Sequence, residues 1–133
     1  DELVVRRAAG SAGSSRSLSG SVELGSFRFR QAALAGAAGR SEDPWWAVLP
    51  GGEPMIVRAW RARDRMRAAG AKAPRRVKRF LSDAGIVGPE RRHWPVIEAA
   101  GEVVWIPGVR RSDAATVRSG RPVVVYHCER LDR

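Results

Sequence analysis

Four arginines and one acid between positions 58 and 65 carry the clearest chemistry in this sequence. Arg58, Arg61, Arg63 and Arg65 recur at two- or three-residue spacing, and Asp64 is the lone carboxylate among them. A guanidinium is a planar fork of donors that matches a phosphate or carboxylate with two parallel hydrogen bonds. Asp64 has two readings. It orients a neighbouring guanidinium, or it forms a plain surface salt bridge worth under ~1 kcal/mol. The basic run continues through Arg67, Lys72, Arg75, Arg76, Lys78, Arg79, Arg91 and Arg92. From Arg58 to Arg92, twelve basic side chains face only Asp64, Asp83 and Glu90, a balance of +9 out of a net charge of +10 for the whole chain. Clustering of this kind attracts a polyanion far better than the same charge spread evenly. The sequence therefore reads as a small domain that holds a nucleic-acid backbone. A coding bias toward Arg explains the ratio of 22 Arg to 2 Lys, but not why the charge gathers in one segment.

Other chemistries are poorly supported. Neither a GxxxxGK[ST] loop nor a Ser-Gly-Gly-x-Asp-Ser loop is present, and there is no GxGxxG between a strand and a helix. His93, His127 and Cys128 are the soft metal ligands available, and His127 and Cys128 are neighbours that point to opposite faces of a strand. No metal site and no catalytic residue are expected. A small enzyme built on His93, His127 or Cys128 stands as a minor rival, with Cys128 read as a small buried thiol. The single cysteine excludes an intrachain disulfide and fits a reducing, cytoplasmic setting. No apolar run approaches the ~18 residues needed to cross a bilayer. The chain opens on Asp1 without a Met, as expected of a piece of a longer protein.

The elements that must position these residues follow from pattern. Residues 1–21, rich in Gly, Ser and Ala after residue 8, read as a flexible segment or linker, and 22–133 as the domain. Val22–Arg30, Trp45–Leu49 and Met55–Arg61 read as strands, with the Pro50-Gly51-Gly52 turn pairing the last two as a hairpin. The arginine cluster is read as continuing that strand to Arg65. Val77, Phe80, Leu81 and Ala84 recur at i, i+3, i+4 and i+7, which predicts a helix between Pro74 and Gly85. Pro95–Glu98, Glu102–Ile106 and Pro122–His127 read as further strands, the first two turned by Gly101. The fold class is α+β: a small, mostly antiparallel, β-sandwich-like domain with one packed helix. Four of the five tryptophans read as core. Trp94, beside Arg91, Arg92 and His93, reads either as core or as an exposed indole for stacking on a base.

The ordered motifs resemble the C-terminal substrate domain of bacterial tRNA(Ile)-lysidine synthetases. The chain reads VRAWRARDRMRAAG at 57–70, RRVKRFLSDAGI at 75–86, PERRHWP at 89–95 and EVVWIPGVR at 102–110. Asp64, Arg65, Gly70, Lys78, Phe80, Pro89, Pro95, Trp105 and Gly108 take the family's positions in order, with Arg91 or Arg92 as the turn arginine. The core match runs over 56–110. The chain departs from the family where Ala62-Arg63 replaces a usual Pro-Gly, and where AKAP lacks a further Gly. The resemblance implies a non-catalytic domain of an ATP-dependent ligase that attaches lysine to the wobble cytidine of an isoleucine tRNA. ATP would belong to a separate N-terminal catalytic domain, and this chain would hold no cofactor. Its expected partners are the tRNA acceptor stem and that catalytic domain. The expected backbone contacts are Arg58, Arg61, Arg63, Arg65, Lys72, Arg75, Lys78, Arg91 and Arg92, with Asp64 orienting an arginine. The alternative is a basic module that meets an acidic protein partner.

Overall fold

A computed structural model describes residues 15–40, 42–112 and 122–131. Two antiparallel sheets pack face to face. One has the order β1-β5-β8-β9-β10, built from Ser15–Ser17, Met55–Ala59, Pro95–Ala99, Glu102–Ile106 and Arg110–Arg111. The other has the order β2-β3-β11-β4, built from Ser21–Leu24, Phe27–Ala32, Val123–Arg130 and Trp46–Pro50. A small hairpin, β6 (Arg65–Met66) with β7 (Arg75–Arg76), leads into the helix α1 (Val77–Asp83). A single turn, α2 (Pro89–Arg92), precedes β8. The fold is thus a small, mostly antiparallel α+β sandwich with one packed helix.

The sequence periods explain these elements. In β3, Phe27 and Phe29 alternate with Arg28 and Arg30, so one face is buried and the other polar. Phe29 meets Trp105 of the opposite sheet edge to face, ring centroids 5.8 Å apart, which ties the two layers together. Val77, Phe80 and Leu81 turn the apolar stripe of α1 into the same core as Val57, Val96, Ile97 and Trp105. The helix ends at Gly85, whose φ of +77° suits a residue without a Cβ.

Three expectations change. Trp46–Pro50 and Met55–Ala59 do not pair with each other. β4 pairs with β11 and β5 with β8, so the Pro50-Gly51-Gly52 turn carries the chain from one sheet to the other. The strand read through to Arg65 stops at Ala59, and a turn closed by the Asp64 N–H to Arg61 carbonyl bond follows. Residues 15–21, read as linker, form β1 and the first residue of β2, with Leu18 between them in the core. Residues 1–14 of that segment lie outside the described residues.

Candidate nucleic-acid interface

The interface begins with a buried arginine. Arg58 stands in mid-β5 and is 5% exposed. Its Nη1 and Nη2 donate to the two oxygens of Asp64 at 2.8 and 3.0 Å, its Nε donates to Glu98 at 2.9 Å, and Nη1 also reaches the Ala59 carbonyl at 3.2 Å. The bond to Asp64, against the cost of burial and helped by Glu98, raises the guanidinium above its ordinary pKa. Burial alone would push the Asp64 carboxyl up. The bonds from Arg58 and the Arg61 backbone, with the charges of both arginines, outweigh it and hold Asp64 below its usual 3.8. Asp64 therefore does more than pair. Its side chain accepts the Arg61 N–H at 2.6 Å, and its own carbonyl accepts the Val77 N–H at 2.9 Å. One residue fastens the 60–64 turn to β5 on one side and to the start of α1 on the other.

The turn so held presents Arg61 and Arg63 to solvent, with Arg65 and Arg67 following on β6 and beyond it. Arg63, Arg65 and Arg67 line an open cleft of about 630 Å³, together with Met66, Pro74, Gly101, Glu102, Val103 and Ser112. Two local features run against ordinary electrostatic preference. Arg65 stands directly across from Arg76 in the β6–β7 pairing, where like charges destabilise a hairpin. The first turn of α1 has no acidic residue; Arg76 caps it, and Lys78 and Arg79 follow. Positive charge is concentrated here despite a local electrostatic penalty.

Arg75 is tied to Asp83 at 3.0 Å and lies 5.1 Å from the Phe80 ring centroid, where Arg110 also arrives at 5.9 Å. Lys72 and Lys78 are exposed on the same segment. Arg91 and Arg92 sit on α2, held by the Trp60 indole N–H on the Arg91 carbonyl and by the Arg130–Glu90 ion pair at 2.9 Å.

Two of the expected site residues are placed elsewhere. Arg58 is too enclosed and too fully hydrogen-bonded to contact a phosphate, so it positions the others. Trp94 is 2% exposed, packs on Phe27 at 5.0 Å and donates its indole N–H to the Pro107 carbonyl at 2.9 Å, so it has no free face for a base. Arg110, Glu102 and Ser112 join the site without a local sequence signal, because pairing of β9 with β8 and β10 brings them there. Burial pushes the Cys128 thiol far above its ordinary pKa, so it is a core residue rather than a nucleophile. Among the described residues no group of three or more His, Cys, Asp or Glu is arranged to hold a metal ion, and no helix is long and apolar enough to cross a membrane.

The family model for the TilS substrate C-terminal domain matches residues 55–128. The chain belongs to this family. The match starts at β5 and so contains the Arg58–Asp64 bracket, the cleft and both helices. The chain is 34% identical over 77 residues to tRNA(Ile)-lysidine synthase of Bacillus subtilis (strain 168), covering 55% of this chain and 16% of that protein. It is 38% identical over 73 residues to the synthase of Symbiobacterium thermophilum, covering 53% of this chain and 15% of that protein. The chain thus spans about a sixth of the length of the relatives it matches. A solved structure described as the crystal structure of TILS C-terminal domain superposes with a TM-score of 0.66 at 22% identity, covering 81% of this chain and 87% of that one. That likeness supports the sandwich fold.

Proposed function

We propose that this TilS-type domain grips tRNA as the non-catalytic end of a tRNA(Ile)-lysidine synthase. The observation that carries the reading is the rim of Arg61, Arg63 and Arg65. The turn that carries Arg61 and Arg63 is fastened by a buried ionic bracket, and Arg63 and Arg65 have no ion pair with any described residue. Such a surface neutralises phosphates and releases counterions, with little dependence on sequence. Lys72, Arg75, Lys78, Arg91 and Arg92 extend it. The acceptor stem is the proposed target, because an A-form stem offers regular phosphates and 2′-hydroxyls without any base needing to be read. In this reading the whole protein works in the cytoplasm. An N-terminal catalytic domain uses ATP to join lysine to the wobble cytidine, and this domain keeps the tRNA in register.

The test is anisotropy binding of the chain to an acceptor-stem minihelix and to an anticodon stem-loop of equal length, across a salt series. Preference for the minihelix, with log affinity falling linearly in log salt, is the expected result. Equal and weak binding to both overturns it and favours a module that meets an acidic protein.

A further inference from the structure

We propose that the cleft beside Arg63 and Arg65 seats one ribonucleotide unit of the bound RNA, and that Glu102 accepts the hydrogen bond of its ribose 2′-hydroxyl. The inference rests on the RNA-binding reading above and adds the residue by which RNA is told from its analogues.

The argument starts from which groups in the cleft are already committed. Arg58 has given its guanidinium to Asp64, Glu98 and the Ala59 carbonyl. Both Asp64 oxygens are taken by Arg58, and one also holds the Arg61 N–H. Ser112 and Arg67 have partners of their own. Arg63 and Arg65, from the 60–64 turn and β6, and Glu102, from β9, remain. None of the three has an ion pair or side-chain hydrogen bond to a described residue, although they line the same space. Opposite charges held apart in one cleft call for a ligand with an anion for the arginines and a hydrogen-bond donor for the carboxylate. The volume, about 630 Å³, lies within the ~300–1,000 Å³ of sites that hold small molecules.

A ribonucleotide carries both groups within one unit, a phosphate and a 2′-hydroxyl. An acidic peptide also offers a carboxylate and backbone N–H donors, but not the fixed spacing of a phosphate and a hydroxyl that every ribonucleotide repeats. Carboxylates are established acceptors for ribose hydroxyls, and the 2′-hydroxyl is what separates RNA from DNA at a protein surface. Glu102 is well held for the task. It follows the two-residue turn Ala100-Gly101, both at positive φ (51° and 80°), which is the tight hairpin turn matched to strand twist. Ala99 and Glu102 are the pair that this turn closes.

The experiment uses the 133-residue chain with a hairpin RNA carrying a short 3′ single strand, and with the same hairpin 2′-O-methylated. The methylated RNA keeps the A-form but loses the donor. The wild type is expected to prefer the unmodified RNA by roughly three- to tenfold, about one hydrogen bond to a charged acceptor at a partly open site. Glu102→Ala should abolish that preference, and Glu102→Gln should keep part of it, since the amide oxygen still accepts. An unchanged preference in Glu102→Ala overturns the assignment. So does equal strengthening of both ligands, which would make Glu102 a repulsive charge only. The two readings separate cleanly. Unweakened binding by an Arg65→Glu, Lys78→Glu double variant removes this face as the RNA-binding surface, no RNA binding by the wild type removes the RNA-binding reading, and either result removes this inference with it. A weakened double variant with the preference intact in Glu102→Ala removes only the role of Glu102.

Discussion

On the four-stranded sheet, Arg28 bonds Glu23 at 3.0 Å and Glu129 at 3.5 Å, and Arg30 reaches the same Glu129 at 3.9 Å. On the hairpin beside the five-stranded sheet, Arg65 faces Arg76 across the strand pair and has no ion pair with any described residue. The residue type is the same and the company differs. In the first region every outward arginine of β3 is balanced by acids on adjacent strands, as a surface that only needs to stay soluble would be. In the second the acids have been drawn inward. Asp64 and Glu98 are spent on one buried arginine; Arg75 keeps Asp83, but exposed Arg63 and Arg65 have no ion pair with any described residue. Charge on the protein surface thus has two uses here, and local pairing distinguishes them better than arginine count does.

The comparison can be broken most forcefully at Arg58. Arg58→Ala leaves Asp64 and Glu98 without their buried counter-charge, and should cost ~3–5 kcal/mol in a urea titration. A loss below ~1 kcal/mol would mean that the bracket is no different from a surface pair. Next in size is the Arg65→Glu, Lys78→Glu double variant. It should weaken minihelix binding at least about tenfold and make the salt slope shallower by about 2, with stability within ~0.5 kcal/mol of wild type. Asp64→Asn sharpens the contrast through pH. The folded-state carboxyl is held below its ordinary 3.8, so its stabilisation is fully present above that value and is lost as pH falls through the lower folded value. The wild-type-minus-variant stability difference should therefore shrink as pH falls below about 4, and it should be flat from pH 5 to 8. Thermal melts at stepped pH would show it, and a constant difference down to pH 2 would contradict it. The smallest effect belongs to the paired region. Arg28→Ala should change stability by under ~1 kcal/mol and leave RNA affinity and salt slope untouched. A drop in affinity comparable to the double variant would show that both faces bind.

Much of this was legible in the sequence wherever one residue's neighbours in the chain were also its neighbours in space. The helix over 77–83 and the hairpin at Gly101 follow from short-range period and turn chemistry. The β4–β5 hairpin does not, because a Pro-Gly-Gly turn between two apolar runs looks the same whether the runs pair or part to opposite layers. The true partners lie far along the chain, Val123–Arg130 73 to 81 residues from β4 and Pro95–Ala99 36 to 44 residues from β5, and loop closure over that distance leaves no local mark. Arg58 offered a signal that was there to be used. It stands inside the apolar run MIVRA, where an unpaired charge would be costly, so a buried acid partner was required. Trp94 was ambiguous because its basic neighbours point outward while its ring turns under Phe27. Glu102 and Arg110 could not be placed without the strand order.

Cys128 turns the molecule into its own clock. It is the only cysteine in the chain, it sits in the strand that joins both neighbours of its sheet, and it is almost wholly enclosed. A thiol reagent can reach it only when the sandwich opens, so labelling rate reads the frequency of opening under native conditions. Variants at Arg63, Arg65 or Glu102 that merely change what the surface holds should tick at the wild-type rate. Arg58→Ala should tick about a hundredfold faster if it forfeits ~3 kcal/mol. One spectroscopic trace, taken without denaturant, would then tell a lost grip from a loosened frame.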